Sequence, residues 1–174
     1  MTRMLKRFRR DDAGSASIEF AIMFPVFFVI LISAMELGLM TVRSALLERA
    51  LDVVVRDIRL TTGTAPSHVQ LRTAICEETS VVPDCFNNLA LEMRLVDPRA
   101  WTDIPSAVTC TNRAEEVAPV TTFQHGMDNE VMIIRACAKY EPMFSDYGLS
   151  AFMSKDSSGD VALIAKSAFV QEPR

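Results

Sequence analysis

The sequence predicts an α+β protein: a long amino-terminal transmembrane helix continuing into a small soluble domain with a few-stranded antiparallel sheet. Three observations lead there. The run Ile18–Met40 is almost wholly apolar and long enough to cross a bilayer, since about 20 helical residues span the hydrocarbon. Helical periodicity then persists to Leu60 with no Pro or Gly in Thr41–Leu60. Three later segments are rich in the β-branched and large apolar residues that favour strands.

The leader Met1–Arg10 carries Arg3, Lys6, Arg7, Arg9 and Arg10. Positive charge stays on the cytoplasmic side, so the amino end is expected inside and the carboxyl domain outside. A secretory signal would need a small-residue cleavage site after its apolar core. Here Ala13, Gly14, Ser15 and Ala16 precede the apolar run instead. The leader can therefore be removed while the helix is kept. Two residues inside the run need a reason. Glu19 is an acid near its start, where a charge in lipid costs at least about 2.5 kcal/mol. Pro25 lacks the helical N–H, so a kink or local melt is expected there. Glu36 falls where the span should end and reads as an interfacial acid. Ser33 and Gly38 are small enough to admit a neighbouring helix.

Beyond the span, Leu39, Leu46, Leu47, Ala50, Val53, Val54 and Ile58 recur at helical spacing. The helix should stop at Thr61-Thr62-Gly63-Thr64-Ala65-Pro66. Ser67-His68-Val69-Gln70 reads as a capping box opening a short helix to about Glu77. Leu89–Leu95 alternates, with Leu89, Leu91, Met93 and Leu95 on one face. Glu130–Tyr140 and Asp160–Gln171 are further strand candidates, although Ala and Lys keep a helix open for Asp160–Phe169. Asn112–Met127 reads as an exposed loop and Ser154–Gly159 as a polar turn. The sheet is expected to pack on the lower half of the long helix.

The four cysteines, Cys76, Cys85, Cys110 and Cys137, all follow the span. An even number on an oxidising side implies two disulfides. Of the three pairings, Cys76–Cys85 with Cys110–Cys137 is favoured; the nested set Cys76–Cys137 with Cys85–Cys110 stays open. The spacings lack the close cysteine pairs of a zinc site, and no other metal or cofactor is expected.

His68 and His125 lie far apart and read as surface or capping residues. Glu77-Glu78 and Glu115-Glu116 read as solvated turns, and Trp101, Phe123 and Tyr140 as core. No nucleophile–base order, phosphate loop or paired-carboxylate motif is present, so an enzyme is not expected. The formal net charge is −4 although the leader contributes several positives. The exported part is thus the more acidic, which argues against nucleic acid as a ligand.

The stretch Gly14-Ser15-Ala16-Ser17-Ile18-Glu19-Phe20-Ala21-Ile22-Met23-Phe24-Pro25, followed by Met35-Glu36-Leu37-Gly38, resembles the TadE-like family. These are minor pilins or pseudopilins of tight-adherence (Tad, Flp-type) pilus systems. The resemblance covers the amino end and implies a pilin-like plan, a helical spike with a globular head. It implies cleavage between Gly14 and Ser15 by a separate prepilin peptidase. It also implies that Glu19, with Phe20 and Pro25 beside it, sets subunit register by pairing with the freed amine of Ser15 on a neighbour. The chain then divides into leader 1–14, transmembrane helix 15–40, periplasmic continuation 41–60 and periplasmic head 61–174. Implied partners are the peptidase, the major Flp-type pilin, another minor pilin, the Tad inner-membrane platform and the membrane itself. The rival reading is an uncleaved, single-pass periplasmic binding or sensor domain, which leaves Gly14 and Glu19 without a role.

Overall fold

The structure, a computed structural model, describes residues 15–60, 66–100, 105, 107–112 and 121–173. The leader, Gly14, Thr61–Ala65, Trp101 and Glu115-Glu116 lie outside the described residues. The element order is α1 (Ser15–Leu60), α2 (His68–Glu78), α3 (Cys85–Asn88), β1 (Ala90–Val96), β2 (Val131–Tyr140), a 3-10 helix (Gly148–Phe152) and β3 (Val161–Val170). The fold class is the expected one, a long apolar helix followed by a small antiparallel α+β domain.

Helix α1 runs 46 residues without interruption, about 69 Å at the α-helical rise. Pro25 lies inside it. The local melt expected at Pro25 is therefore absent, since one missing N–H leaves the hydrogen bonds of the adjoining turns intact. The carboxyl half buries one stripe: Leu47, Ala50, Leu51, Val54, Val55 and Ile58. This corrects the expected face. Leu46 and Val53 are exposed at 38% and 42%, and Leu51 and Val55 replace them. Both sets obey helical spacing, and only contact with the sheet selects between adjacent stripes.

Ser67 caps α2 as a capping box: its hydroxyl accepts from Gln70 N–H, and the Gln70 side chain accepts from Ser67 N–H at 2.8 Å. Leu71 and Ile75 turn inward to α1. The four-residue α3 is an addition to the expected elements. Asp84 precedes it at φ 47°, a left-handed conformation that short polar side chains tolerate.

The sheet has the order β1-β2-β3, antiparallel throughout. Val131 to Tyr140 pair continuously with Val170 to Val161. That pairing settles this segment as strand over Val161–Val170, because a ten-residue ladder satisfies the backbone of both segments. One face places Leu91, Met93, Met132, Ile134, Ala136, Ala138, Tyr140, Leu163, Ala165 and Phe169 in the core with α1. Leu95 begins to leave this core and is 48% exposed.

The opposite face carries Glu92 directly across from Arg135. Their side chains pair at 2.7 Å and are almost fully buried. Arg94 also contacts Glu92, and Arg135 donates to the carbonyl of Pro105 at 2.6 Å. The Cys110–Cys137 disulfide pins the same covering loop to this face. Residues 122–124 are not part of a wholly exposed loop, as expected, but hydrogen-bond both sides of Met93 as a parallel bridge. The unpaired edge of β1 supplies the donors and acceptors that hold them there.

Candidate functional site

From Ala16 to Leu31 every residue of α1 is exposed. Phe20, Phe24 and Phe28 form a ladder along one side, with ring centroids 5.1 and 5.7 Å apart. The spacing of four residues stacks them. Phe20, Met23, Phe24, Val26, Phe27 and Ile30 line a shallow apolar groove. Among the described residues this is the one helix long and apolar enough to cross a membrane. Ser15 is the first described residue of this helix, and Glu19, four residues on, is exposed. Gly14, the proposed cleavage residue, lies outside the described residues. Gly38 faces open space: a methyl group in place of its hydrogen would meet nothing within 4 Å.

Glu36, which the sequence reads as an interfacial acid, is buried under the head. It is 1% exposed, and neither carboxylate oxygen has a hydrogen-bond partner among the described residues. The head covers it, because the segment after β2 folds down along α1. Leu149 N–H donates to Ser33 Oγ at 3.1 Å, one turn before Glu36. One side of the junction is Tyr140, also 1% exposed. Arg43, two turns beyond Glu36, lies over the Tyr140 ring at 4.6 Å from its centroid, a cation–π contact. Burial pushes the Tyr140 phenol up, the Glu36 carboxylate adds to this, and Arg43 opposes it. Spacings of 3 and 4 along α1 put Ser33, Glu36, Met40 and Arg43 on one face. Nothing in sequence shows that the head descends far enough to meet them.

The cysteines are joined as Cys76–Cys85 and Cys110–Cys137, the favoured pairing. The first ties α2 to α3, the second the covering loop to β2. His68 and His125 meet on either side of Phe123, edge-on at 5.1 and 5.2 Å. Proximity through an aromatic ring gives them no catalytic geometry. No group of three His, Cys, Asp or Glu side chains among the described residues is placed to hold a metal. Glu77 and Glu78 are exposed at the end of α2, across a cleft from Arg56.

Sequence reasoning overlooked Asn88. It is fully buried, donates to the carbonyls of Pro83 and Lys139 at 2.9 and 2.7 Å, and accepts from Lys139 N–H at 2.9 Å. No local signal marks an Asn whose partner at Lys139 lies 51 residues away.

The arrangement is that of a helical spike, apolar and bare at its start, with a disulfide-braced α+β head on its far half. Residues 14–56 match the family model described as TadE-like protein. The match spans the bare helix, Glu19, Pro25, Glu36 and most of the inward stripe. No curated protein and no solved structure matches the chain.

Proposed function

We propose that this chain is a minor pilin or pseudopilin that takes part in assembling a Tad (Flp-type) pilus. The observation that carries the reading is the bare apolar stretch Ala16–Leu31 of α1, with Glu19 near its start, inside the stretch that matches the TadE-like family. The chain enters the inner membrane with its amino end cytoplasmic and its head periplasmic. A prepilin peptidase cuts after Gly14, where the lack of a side chain admits close approach to the backbone.

Cleavage frees an α-amino group on Ser15, of unperturbed pKa about 7.7–8.0. Glu19 of a neighbouring subunit pairs with that amine when the helices pack in the fibre or its initiating complex. In low dielectric a mispaired carboxylate is left as an uncompensated charge, so only one axial register is stable. Phe20 and Pro25 shape the same helix surface. The major pilin, a second minor pilin and the inner-membrane platform are the partners this role requires. The role is structural rather than catalytic, and it calls for no cofactor.

Amino-terminal analysis of the protein from cells with an active Tad system tests the reading. A chain beginning at Ser15 supports it. Gly14→Leu should retain the leader, and Glu19→Ala should be cut but fail to assemble. A wild-type chain that keeps Met1–Gly14 in such cells would leave a tethered periplasmic domain instead.

A further inference from the structure

We propose that the base of the head, the segment Glu141–Met153 with its 3-10 helix, seats in the headgroup region of the membrane that holds α1. The inference rests on the membrane-anchored reading and adds a second lipid contact to it.

The first observation is where the segment meets α1. Gly148 stands at φ +62°, and a methyl group at its Cβ position would come within 2.6 Å of Ser33 Oγ and 3.5 Å of the Val29 carbonyl. Only glycine permits both that conformation and that approach. Together with the bond from Leu149 to Ser33, this docks the head at Val29–Ser33, inside the apolar run. The second observation is length. The uncovered part of α1, Ala16–Leu31, is about 24 Å long, whereas the hydrocarbon is about 30 Å thick. Centring that stretch leaves Leu31 about 12 Å from the midplane, just inside the hydrocarbon edge at about 15 Å, so the docked segment reaches the boundary with the headgroups.

The third observation is what the segment displays. Phe152 is 89% exposed, Tyr147 68% and Met143 58%. Tyr147, with an apolar ring and a wet hydroxyl, favours the headgroup level, and Phe152 and Met143 beside it supply apolar surface to bury there. The segment that carries them docks on α1 beside its bare apolar stretch, so the occupant is the bilayer surface rather than a separate partner. Exposed Glu141 and Asp146 in the same segment limit the depth, because carboxylates stay hydrated. The seat also explains the buried Glu36: the segment shields that acid from lipid at the point where the helix leaves the membrane.

The test uses the full chain in two sets of phosphatidylcholine vesicles, one brominated near the headgroup and one brominated deep in the acyl chains. Trp101, the single tryptophan, is measured in the wild type and subtracted as background. Phe24→Trp reports the span, Phe152→Trp and Tyr147→Trp the seat, and Val69→Trp, on α2, the distal head. Quenching of Phe24→Trp by the deep bromines and of both seat tryptophans by the headgroup-level bromines, with Val69→Trp unquenched by either, is expected. If Phe24→Trp is quenched while both seat tryptophans keep their emission, the seat is wrong and the anchor stands. Blue-shifted but unquenched seat tryptophans overturn it too, in favour of a second copy or another protein covering the patch. An unquenched Phe24→Trp removes the anchor and the seat together.

Discussion

At the residue scale, Asn88 and Asp156 carry more of the head than their neighbours in sequence suggest. Asn88 satisfies both backbone groups of Lys139 from a fully buried position. Asn88→Ala leaves those groups without their partner, each at about 1–3 kcal/mol. The head of this variant should melt well below the wild type in thermal unfolding followed by circular dichroism. Asp156 caps its turn by accepting from the N–H groups of Ser158 and Asp160 at 2.9 and 3.0 Å, and it pairs with Lys139. Partial burial raises its pKa, but the Lys139 and backbone hydrogen bonds outweigh this and hold it below the usual 3.8. A folded-state pKa below the unfolded one means stabilisation present above the unfolded value and lost as pH falls through the folded one. Wild-type stability should therefore drop more steeply below about pH 4 than that of Asp156→Asn, measured by urea midpoints across an acid series.

At the element scale, the direction in which α1 faces is the decisive quantity. Leu47 is fully buried and Leu46 is 38% exposed. Leu47→Ala should cost about 2–5 kcal/mol through lost burial and a residual cavity. Leu46→Ala should cost about 1 kcal/mol or less. Comparable losses in chemical denaturation would mean that the inward stripe is misplaced. The existence of this helix, its stop before Pro66, the capping box at Ser67 and the first two strands were legible because each rests on short-range pattern. The choice between Leu46 and Leu51 as core was not legible, since adjacent stripes share one period. Nor was the strand nature of Val161–Val170: its Ala and Lys suit a helix, and the ladder with β2 overrides that preference.

At the scale of the whole molecule, the head is small and leans on covalent bracing. The Cys110–Cys137 bridge closes a separation of 27 residues, for which chain entropy gives roughly 3–4 kcal/mol. It also holds the loop over the buried Glu92–Arg135 pair. Cys110→Ala with Cys137→Ala should lower the melting temperature of the head more than the matching change at Cys76–Cys85, whose separation is 9. Non-reducing peptide mapping of the wild type should recover both bridges. Equal effects would place the stabilisation in local geometry rather than in loop closure.

The amino-terminal site divides along the same line. The roles proposed for Gly14, Ser15, Glu19 and Pro25 rest on sequence, on their spacing along one helix and on the charge that precedes it. The burial of Glu36, its company with Arg43 and Tyr140, and the descent of Gly148 onto Ser33 were decided only in three dimensions. Local pattern records which residues share a helix face, since the backbone repeat is fixed. It does not record which distant segment will cover that face, because contacts between segments far apart in the chain leave no periodicity to read.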